Sequence, residues 1–278
     1  MLYSCKDLFN RIKAELKEEI AGFPDAPRVC VVVTGNDEPS QRYVRNKLRD
    51  FKELGIDGEE IRVDNSMQLM YFLANNARKY DGVIVQRPID VLGGTPKEMA
   101  KKVAEKMPPE VDIDGVVPGS GFMTPSVRGL DILLKEWDYD PVGKTAVVIG
   151  RGDVGRPVAE YLLGRDATVT ICHSKTSRKE VYRLMRNADI IVGGAGIQTP
   201  FVPLTHNEGA VVIDYGITKG SGGELHGDLW EADASCEVRY QTPVPGGMGL
   251  MVRAGLLLNI VDAYKKRRVC NESNSHKG

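Results

Sequence analysis

The stretch from Lys144 to Thr176 constrains the fold of this chain more than any other. The apolar, β-branched run Thr145–Ile149 is typical of a buried parallel strand. A set of three glycines follows this run in the spacing G-x-G-x-x-G: Gly150, Gly152 and Gly155. A helix pattern comes next, and a second strand is predicted at Thr168–Cys172. In this context the spacing indicates a dinucleotide site, because glycines let backbone N–H groups approach a pyrophosphate at a helix N-terminus. A glycine-rich turn in another type of α/β protein is the alternative.

The end of the second predicted strand bears on which dinucleotide would bind. Sites for NAD usually place Asp or Glu there, where the carboxylate holds the ribose hydroxyls. This chain has His173, Ser174 and Lys175 instead, and Arg151 lies inside the glycine loop. These side chains can donate hydrogen bonds to a 2′-phosphate, which a carboxylate would repel. The pattern therefore favours NADP, unless Arg151 and Lys175 are simply solvated charges.

Composition excludes several other classes of protein. The 278 residues suggest two domains, and 37 basic against 38 acidic residues give no excess that would indicate nucleic acid or a membrane surface as partner. No apolar run approaches the roughly 20 residues of a membrane span. Five scattered cysteines without a C-x-x-C pair, and four histidines without ligand spacing, predict a reduced, cytoplasmic protein without a metal site.

The first part of the chain alternates strand and helix patterns. The predicted elements are a helix at 3–20, strands at 29–34, 61–63 and 82–86, and helices at 40–54, 67–80 and 97–105. Ser40 is the expected N-cap of the second helix. Such alternation predicts a parallel sheet covered by helices on both faces. Residues 107–123, rich in Pro, Gly and Asp, are interpreted as the joint to the glycine-loop domain, and an apolar helix is predicted at 251–264.

Four residues of this first part could carry chemistry. Tyr43 and Lys47 are four apart and therefore share one face of a predicted helix. Gln86 ends an apolar strand, and Asp114 lies with Asp112 in the predicted joint. Each has an ordinary explanation: a solvated lysine, a satisfied edge amide, or a turn rich in Asp and Gly.

Taken together, the motifs are recognisable. The sequence resembles the bifunctional methylenetetrahydrofolate dehydrogenase/methenyltetrahydrofolate cyclohydrolase family along nearly its whole length. The matching motifs, in chain order, are Pro39-Ser40, Tyr43-Val44-x-x-Lys47, Gly55-Ile56, Val85-Gln86-x-Pro88, Asp112-x-Asp114-Gly115, Thr124-Pro125, Gly150-Arg151, Ala167–Thr176 without residue 171, Gly227-Asp228 and Thr242–Gly247.

The resemblance implies a role for each candidate residue. Lys47 would be the catalytic lysine of the cyclohydrolase step, with Gln86 setting its protonation. Tyr43 would contact the folate, and Asp114 would accept hydrogen bonds from its pterin ring. Pro88, two residues after Gln86, is also expected to contact the folate. The same is expected of three residues of the proline-glycine loop: Pro243, Gly246 and Gly247. NADP would be held by the glycine turn and the residues after the second strand: Gly150, Arg151, Gly152, Gly155, His173, Ser174 and Lys175.

The sequence also departs from the family pattern. The family usually has Leu where Arg87 stands and Lys where Val111 stands. Its cofactor loop is usually one residue longer. After Gly249 it usually has Pro-Met-Thr, whereas this chain has residues 250–252 as Leu-Met-Val.

The expected protein is a two-domain α/β enzyme with a cleft between its domains. Residues 1–120, completed by the helix at 251–278, would form the folate-binding catalytic domain, and 121–250 the Rossmann-type NADP domain. The enzyme would oxidise 5,10-methylenetetrahydrofolate with NADP+ and hydrolyse the methenyl product to 10-formyltetrahydrofolate. The resemblance also implies a homodimer formed through the cofactor domain. Three alternatives stay open: a dehydrogenase-only folate enzyme, a shikimate-dehydrogenase-like oxidoreductase, and a non-catalytic NADP-sensing module.

Overall fold

The computed structural model describes residues 1–35, 38–90, 94–203, 207, 209–220, 222–230 and 238–275. Its chain divides into two compact units. We call Met1–Asn10 with Ser126–Arg253 the five-stranded unit, and Arg11–Pro125 with Ala254–Gly278 the three-stranded unit. The sequence-based division placed residues 1–10 in the folate-binding domain instead.

Residues 1–10 belong to the five-stranded unit because their backbone pairs there. The Tyr3 N–H donates to the Gln241 carbonyl at 2.8 Å, and the Cys5 N–H donates to the Gly246 carbonyl at 2.9 Å. Nothing in the apolar pattern of residues 3–20 indicates these hydrogen bonds, because their acceptors lie more than 200 residues away.

The three-stranded unit alternates strands and helices as its sequence predicts. Its elements are the main part of α1 (Lys6–Ala21), β1 (Arg28–Thr34), α2 (Glu38–Leu54), β2 (Asp57–Val63), α3 (Ser66–Asn75), a 3-10 turn (Ala77–Lys79), β3 (Gly82–Val85), α4 (Pro96–Lys106), a second 3-10 turn (Pro109–Val111) and most of α8 (Met248–Ser275). The sheet order is β2-β1-β3 and all pairs are parallel. Side chains of β1 and β3 are almost entirely buried, which explains their continuous apolar runs.

Several element boundaries in this unit differ from the predictions. Helix α3 ends at Asn75, five residues earlier than expected, because the chain continues as the 3-10 turn Ala77–Lys79. Strand β2 starts at Asp57, four residues earlier than expected, because its charged first half still pairs with β1 from Arg28 onward. Helix α2 starts at Glu38, so Ser40 lies inside the helix and the expected N-cap is wrong. The Ser40 hydroxyl donates instead to the Arg87 carbonyl, at 3.4 Å.

The five-stranded unit contains a parallel sheet in the order β10-β7-β6-β4-β5. Its elements are α5 (Pro125–Glu136), β4 (Thr145–Ile149), α6 (Gly155–Gly164), β5 (Thr168–Cys172), α7 (Arg178–Met185), β6 (Ile190–Gly193), β7 (Val211–Asp214), the antiparallel pair β8 (Thr218–Lys219) and β9 (Leu225–His226), and β10 (Tyr240–Gln241). Strands β4 and β5 have the predicted bounds.

Two helices differ from the predictions. Helix α7 was not predicted, although Ser177 and Glu180 form a helix-start signature, in which the Ser177 hydroxyl accepts the Glu180 N–H at 3.2 Å. Helix α8 runs from Met248 to Ser275 and is longer at both ends than the predicted 251–264. The rest of the expected 251–278 segment, residues 276–278, lies outside the described part.

None of the helices among the described residues is long and apolar enough to cross a membrane. None of the His, Cys, Asp and Glu side chains of the described residues form a group of three or more that could hold a metal ion. The thiols of Cys5, Cys30, Cys172 and Cys270 are free, and Cys236 lies outside the described residues.

Candidate active site

The structure brings Lys47 and Gln86 together in the three-stranded unit. Helix α2 carries Lys47, and Gln86 follows directly after β3 at the carboxyl edge of the sheet. The Lys47 Nζ donates to the Gln86 Oε1 at 3.0 Å, and the Gln86 Nε2 donates to the Arg87 carbonyl at 2.9 Å. The second bond fixes the amide orientation, so an acceptor oxygen faces the amine.

Burial weakens the charged forms of both Lys47 and Asp114. Desolvation lowers the pKa of the Lys47 amine, and the nearby Asp114 carboxylate opposes this only in part. Desolvation also raises the pKa of Asp114, against the opposing effects of Lys47 and Arg87. A lysine amine with a lowered pKa holds its proton less tightly, which is the change that general acid–base catalysis by a lysine requires.

Tyr43 lies one helical turn before Lys47 on the same face of α2. Its side chain is 44% exposed, so part of the ring is open to a ligand. Burial of the remainder raises the pKa of its hydroxyl, which therefore stays protonated and can donate. Pro88, two residues after Gln86, is exposed, and its carbonyl accepts the Thr34 hydroxyl at 3.2 Å.

The loop of Asp114 is held from inside the unit. Asp112 is fully buried and its Oδ2 accepts the Val117 N–H at 2.7 Å, while burial raises the pKa of this carboxyl to about 6. Asp112, Asp114 and Arg87 line one small hollow with apolar neighbours. The Asp114 carboxyl group therefore lies within electrostatic range of both the Lys47 amine and the Arg87 guanidinium.

Sequence reasoning missed Asn259, which also holds this loop. It lies in α8 and is fully buried; its Nδ2 donates to the Ile113 carbonyl at 2.7 Å and to the Met123 carbonyl at 2.9 Å. An asparagine within the apolar run Leu256–Val261 was the signal that could have revealed it, because buried amides need partners.

The glycine turn of the five-stranded unit needs glycine at two of its three positions. Gly150 has φ +120°, and a Cβ there would lie 2.4 Å from the Gly194 carbonyl oxygen. A Cβ on Gly155 would lie 2.3 Å from the Gly150 carbonyl oxygen. Gly152 has open space instead, so this position faces outward, where a ligand could approach the backbone.

Helix α6 begins at the end of this turn. Its N-cap residue is Val154, whose apolar side chain cannot accept hydrogen bonds from the N–H groups of the first turn. Those groups and the positive end of the helix dipole suit an anion such as a pyrophosphate. The turn and helix therefore fit a dinucleotide.

Donor side chains follow the two neighbouring strands β4 and β5. The strands end at the paired residues Ile149 and Cys172, and the Gly150 N–H donates to the Cys172 carbonyl at 2.9 Å. Arg151 follows the end of β4 by two residues, and the His173–Lys175 turn follows directly after β5. Arg151, Ser174 and Lys175 are exposed, whereas the His173 Nδ1 accepts the Lys175 N–H at 3.2 Å. The edge thus offers several donors to a phosphate.

The proline-glycine loop follows β10 in the same unit. Pro243 and Gly246 are half-buried, and Gly246 has φ +102°. A Cβ on Gly247 would lie 2.4 Å from the Pro243 carbonyl oxygen, so the tight turn requires glycine there. The preceding Thr242 is buried, and its Oγ1 accepts the Asp214 N–H at 2.8 Å, which fixes the loop to β7.

Comparisons with known proteins assign both units to one family. Residues 3–114 match the family model of the tetrahydrofolate dehydrogenase/cyclohydrolase catalytic domain, and residues 123–268 match that of its NAD(P)-binding domain. The bifunctional protein FolD of Methanoculleus marisnigri is 39% identical over 273 residues, covering 93% of this chain and 94% of the relative. That of Moorella thermoacetica is 36% identical over 280 residues, covering 94% and 97%.

Solved structures give the same result. The bifunctional enzyme FolD of Campylobacter jejuni superposes with a TM-score of 0.82 at 31% identity, covering 96% of this chain and 99% of the other. The Trypanosoma brucei enzyme, solved with NADP and an inhibitor, gives 0.81 at 26% identity, covering 96% and 98%. The expected two-domain α/β class and the expected dehydrogenase and cyclohydrolase activities are confirmed. The chain therefore belongs to the tetrahydrofolate dehydrogenase/cyclohydrolase family and carries both its catalytic and its NAD(P)-binding domain.

Proposed function

We propose that Lys47 is the proton-transfer group with which this enzyme hydrolyses 5,10-methenyltetrahydrofolate to 10-formyltetrahydrofolate. The same enzyme forms the methenyl compound by oxidising 5,10-methylenetetrahydrofolate with NADP+. The observation that carries the proposal is the bond from the Lys47 Nζ to the Gln86 Oε1, made by an amine whose pKa burial lowers.

Hydrolysis requires proton transfers that suit such an amine. Water must lose protons as it attacks the methenyl carbon, and a ring nitrogen must gain one before the ring opens. A neutral Lys47 can accept the first proton, and its ammonium form can donate the second. Gln86 orients the amine through its fixed carbonyl oxygen, Tyr43 contacts the folate, and Asp114 accepts hydrogen bonds from the pterin ring.

Oxidation needs positioning more than proton transfer. NADP+ supplies the hydride acceptor when it is bound. The turn at Gly150, Gly152 and Gly155 holds the pyrophosphate together with the first turn of α6. Arg151, with the His173–Lys175 turn, holds the 2′-phosphate, and the Pro243–Gly247 loop contacts the folate.

The variant Lys47→Gln tests the assignment of Lys47. Glutamine keeps a polar chain of similar reach but cannot cycle a proton. We expect cyclohydrolase activity to fall by about 10²-fold or more, the usual contribution of a general acid–base group. Dehydrogenase activity should persist, so that the methenyl compound accumulates and is seen by its absorbance.

Lys52 provides the matched control for this experiment. It is an exposed lysine on the same helix, and Lys52→Gln should leave both rates near those of the parent. Hydrolysis that continues at the parental rate in Lys47→Gln, while hydride transfer is lost, would remove Lys47 from its role.

We further propose that the enzyme is a cytoplasmic homodimer that pairs through the five-stranded unit. Strand β5 is an edge strand of the sheet, and its residues Thr168, Thr170 and Ile171 are exposed. An exposed edge with an apolar side chain favours association with a second copy. The buried free thiols of Cys5, Cys30 and Cys172 agree with a reducing compartment.

A further inference from the structure

Two buried carboxyl groups at the carboxyl edge of the five-stranded sheet have no role in the chemistry above. Asp214 ends β7 and is 1% exposed, and Asp228, which follows β9, is fully buried. Carboxyl groups this deeply buried are costly unless hydrogen bonds satisfy their oxygens. The partners of these two side chains show what they stabilise.

Asp228 holds one loop through three consecutive backbone N–H groups. Its Oδ2 accepts hydrogen bonds from Ala195 and from Gly196, the latter at 3.0 Å, and its Oδ1 accepts the Ile197 N–H at 2.8 Å. The loop Gly194–Ile197, which follows β6, therefore takes its shape from one side chain.

Asp214 in turn holds the backbone of Asp228. Its Oδ1 accepts the Asp228 N–H at 3.1 Å, and its Oδ2 accepts the Leu229 N–H at 2.8 Å. A Cβ on Gly227 would lie 1.9 Å from the Asp214 Oδ2, so the chain can approach this carboxyl only as glycine. Asp214, at the end of β7, therefore fixes the backbone of Asp228, and the Asp228 carboxylate in turn fixes the loop.

The loop held by Asp228 lies where the sheet topology predicts a dinucleotide. Strand β4 connects to β5 on one side, whereas β6 lies on the other side of β4 and connects onward to β7. Connections that leave neighbouring strands in opposite directions open a crevice between their carboxyl ends. The glycine turn after β4 forms one wall of this crevice, and Gly194–Ile197 forms the other.

The two walls are in direct contact at their base. The Gly194 N–H donates to the Ile149 carbonyl at 2.9 Å, and the Gly194 carbonyl oxygen lies only 2.4 Å from the position that a Cβ on Gly150 would take. A displacement of the Gly194–Ile197 loop therefore changes the width of the crevice. We propose that Asp228 is a positioning residue for NADP+. The side-chain carboxylate of Asp228 holds this second wall in its binding geometry before the dinucleotide arrives.

The proposal rests on NADP+ as the cofactor and goes beyond the residues assigned to it. Asp228→Asn is the informative variant, because it keeps the shape of the side chain but replaces one acceptor oxygen with an NH₂ group facing a backbone N–H. Lost charge-assisted bonds of this kind typically weaken binding by about tenfold to a hundredfold. We expect the Kd of NADP+, from fluorescence titration of folded protein, to rise by that factor, with the KM of methylenetetrahydrofolate changing less than twofold.

Asp189→Asn is the matched control. The Asp189 Oδ2 accepts the Thr145 N–H at 2.7 Å at the opposite, amino edge of the same sheet. This variant also loses a carboxylate that binds backbone, so it should lower the melting temperature but leave the Kd of NADP+ within twofold of the parent.

The outcomes separate this inference from the cofactor assignment. A parent protein that fails to bind NADP+ overturns the assignment itself. A parent that binds, with folded Asp228→Asn binding equally well, overturns only the role of Asp228. Where Asp228→Asn does not fold, Asp214→Asn replaces it: a raised Kd of NADP+ with an unchanged KM for the folate supports the proposal, and an unchanged Kd overturns it.

Discussion

At the scale of single residues, burial determines which ionisable groups lose part of their preference for the charged form. Desolvation lowers the pKa of the Lys47 amine on α2 and raises the pKa of the Asp114 carboxyl in the neighbouring loop. Arg151 is the opposite case, because its guanidinium is exposed to solvent. The Lys47 amine suits proton transfer, whereas the Arg151 guanidinium suits recognition of a phosphate.

Arg151→Ala tests recognition of the 2′-phosphate. A contact between a guanidinium and a phosphate contributes about 1.5–3 kcal/mol, so the KM of NADP+ should rise about tenfold or more. The KM of NAD+, which lacks this phosphate, should change little in steady-state assays with both cofactors.

Arg165→Ala is a control for the loss of an arginine near the same helix. Arg165 follows the far end of α6 and pairs with Asp140 at 3.8 Å. Its variant should keep the parental preference between the two cofactors. If the KM values of NADP+ and NAD+ rise equally in Arg151→Ala, Arg151 does not bind the 2′-phosphate.

At the scale of elements, helix α8 contributes to the folate side through Asn259. The side-chain amide of Asn259 binds two carbonyls, those of Ile113 and Met123, on either side of Asp114. The helix thereby fixes a loop that has little regular structure of its own between the 3-10 turn Pro109–Val111 and α5.

Asn259→Leu should destabilise the protein and loosen the Asp114 loop. The change conserves volume but leaves buried carbonyls unpaired, which costs about 1–3 kcal/mol each. We expect a lower melting temperature and a higher KM for methylenetetrahydrofolate, measured by thermal denaturation and by steady-state assay.

Asn75→Leu is the matched control for this change. Asn75 is an exposed asparagine at the end of α3, and its Nδ2 donates to the Tyr71 carbonyl at 2.9 Å. The melting temperature and the KM for methylenetetrahydrofolate of Asn75→Leu should stay close to those of the parent. A parental melting temperature in Asn259→Leu would contradict the anchoring role.

At the scale of the whole molecule, each unit is built on a parallel sheet, and the two edges of the five-stranded sheet differ in how they are covered. In the five-stranded unit, Leu2 bridges to Gln241, so the N-terminal segment lies along β10. The other edge, β5, is exposed along most of its length. The proposed dimer uses this second edge.

Ile171→Lys tests the proposed dimer. Ile171 is 40% exposed on β5, and a charge there opposes burial against a second copy. The parent should have the mass of two chains by light scattering, and the variant that of one chain at micromolar concentration, with NADP+ still bound.

Leu225→Lys is the control, since Leu225 is also 40% exposed but lies on the short strand β9. This variant should stay dimeric. A parent with the mass of one chain, or dissociation by Leu225→Lys instead of Ile171→Lys, would contradict pairing through β5.

The sequence by itself determined the α/β class, the bounds of β4 and β5, and the identity of the family. These follow from local signals: the apolar period of strands and helices, and glycines whose spacing reflects contacts within one turn. The proximity of Lys47 and Gln86 could also be expected, because one lies on a helix and the other at the end of a neighbouring strand in an alternating fold.

Only the tertiary structure decided the features that depend on hydrogen bonds between distant parts of the chain. The start of β2 follows from pairing with β1, and the placement of residues 1–10 follows from bonds to Gln241 and Gly246. Asn259 and Asp228 were not predicted as site residues for the same reason. A buried amide or carboxylate acquires its role from the backbone groups that the fold brings to it, and the residues beside it in sequence do not name those partners.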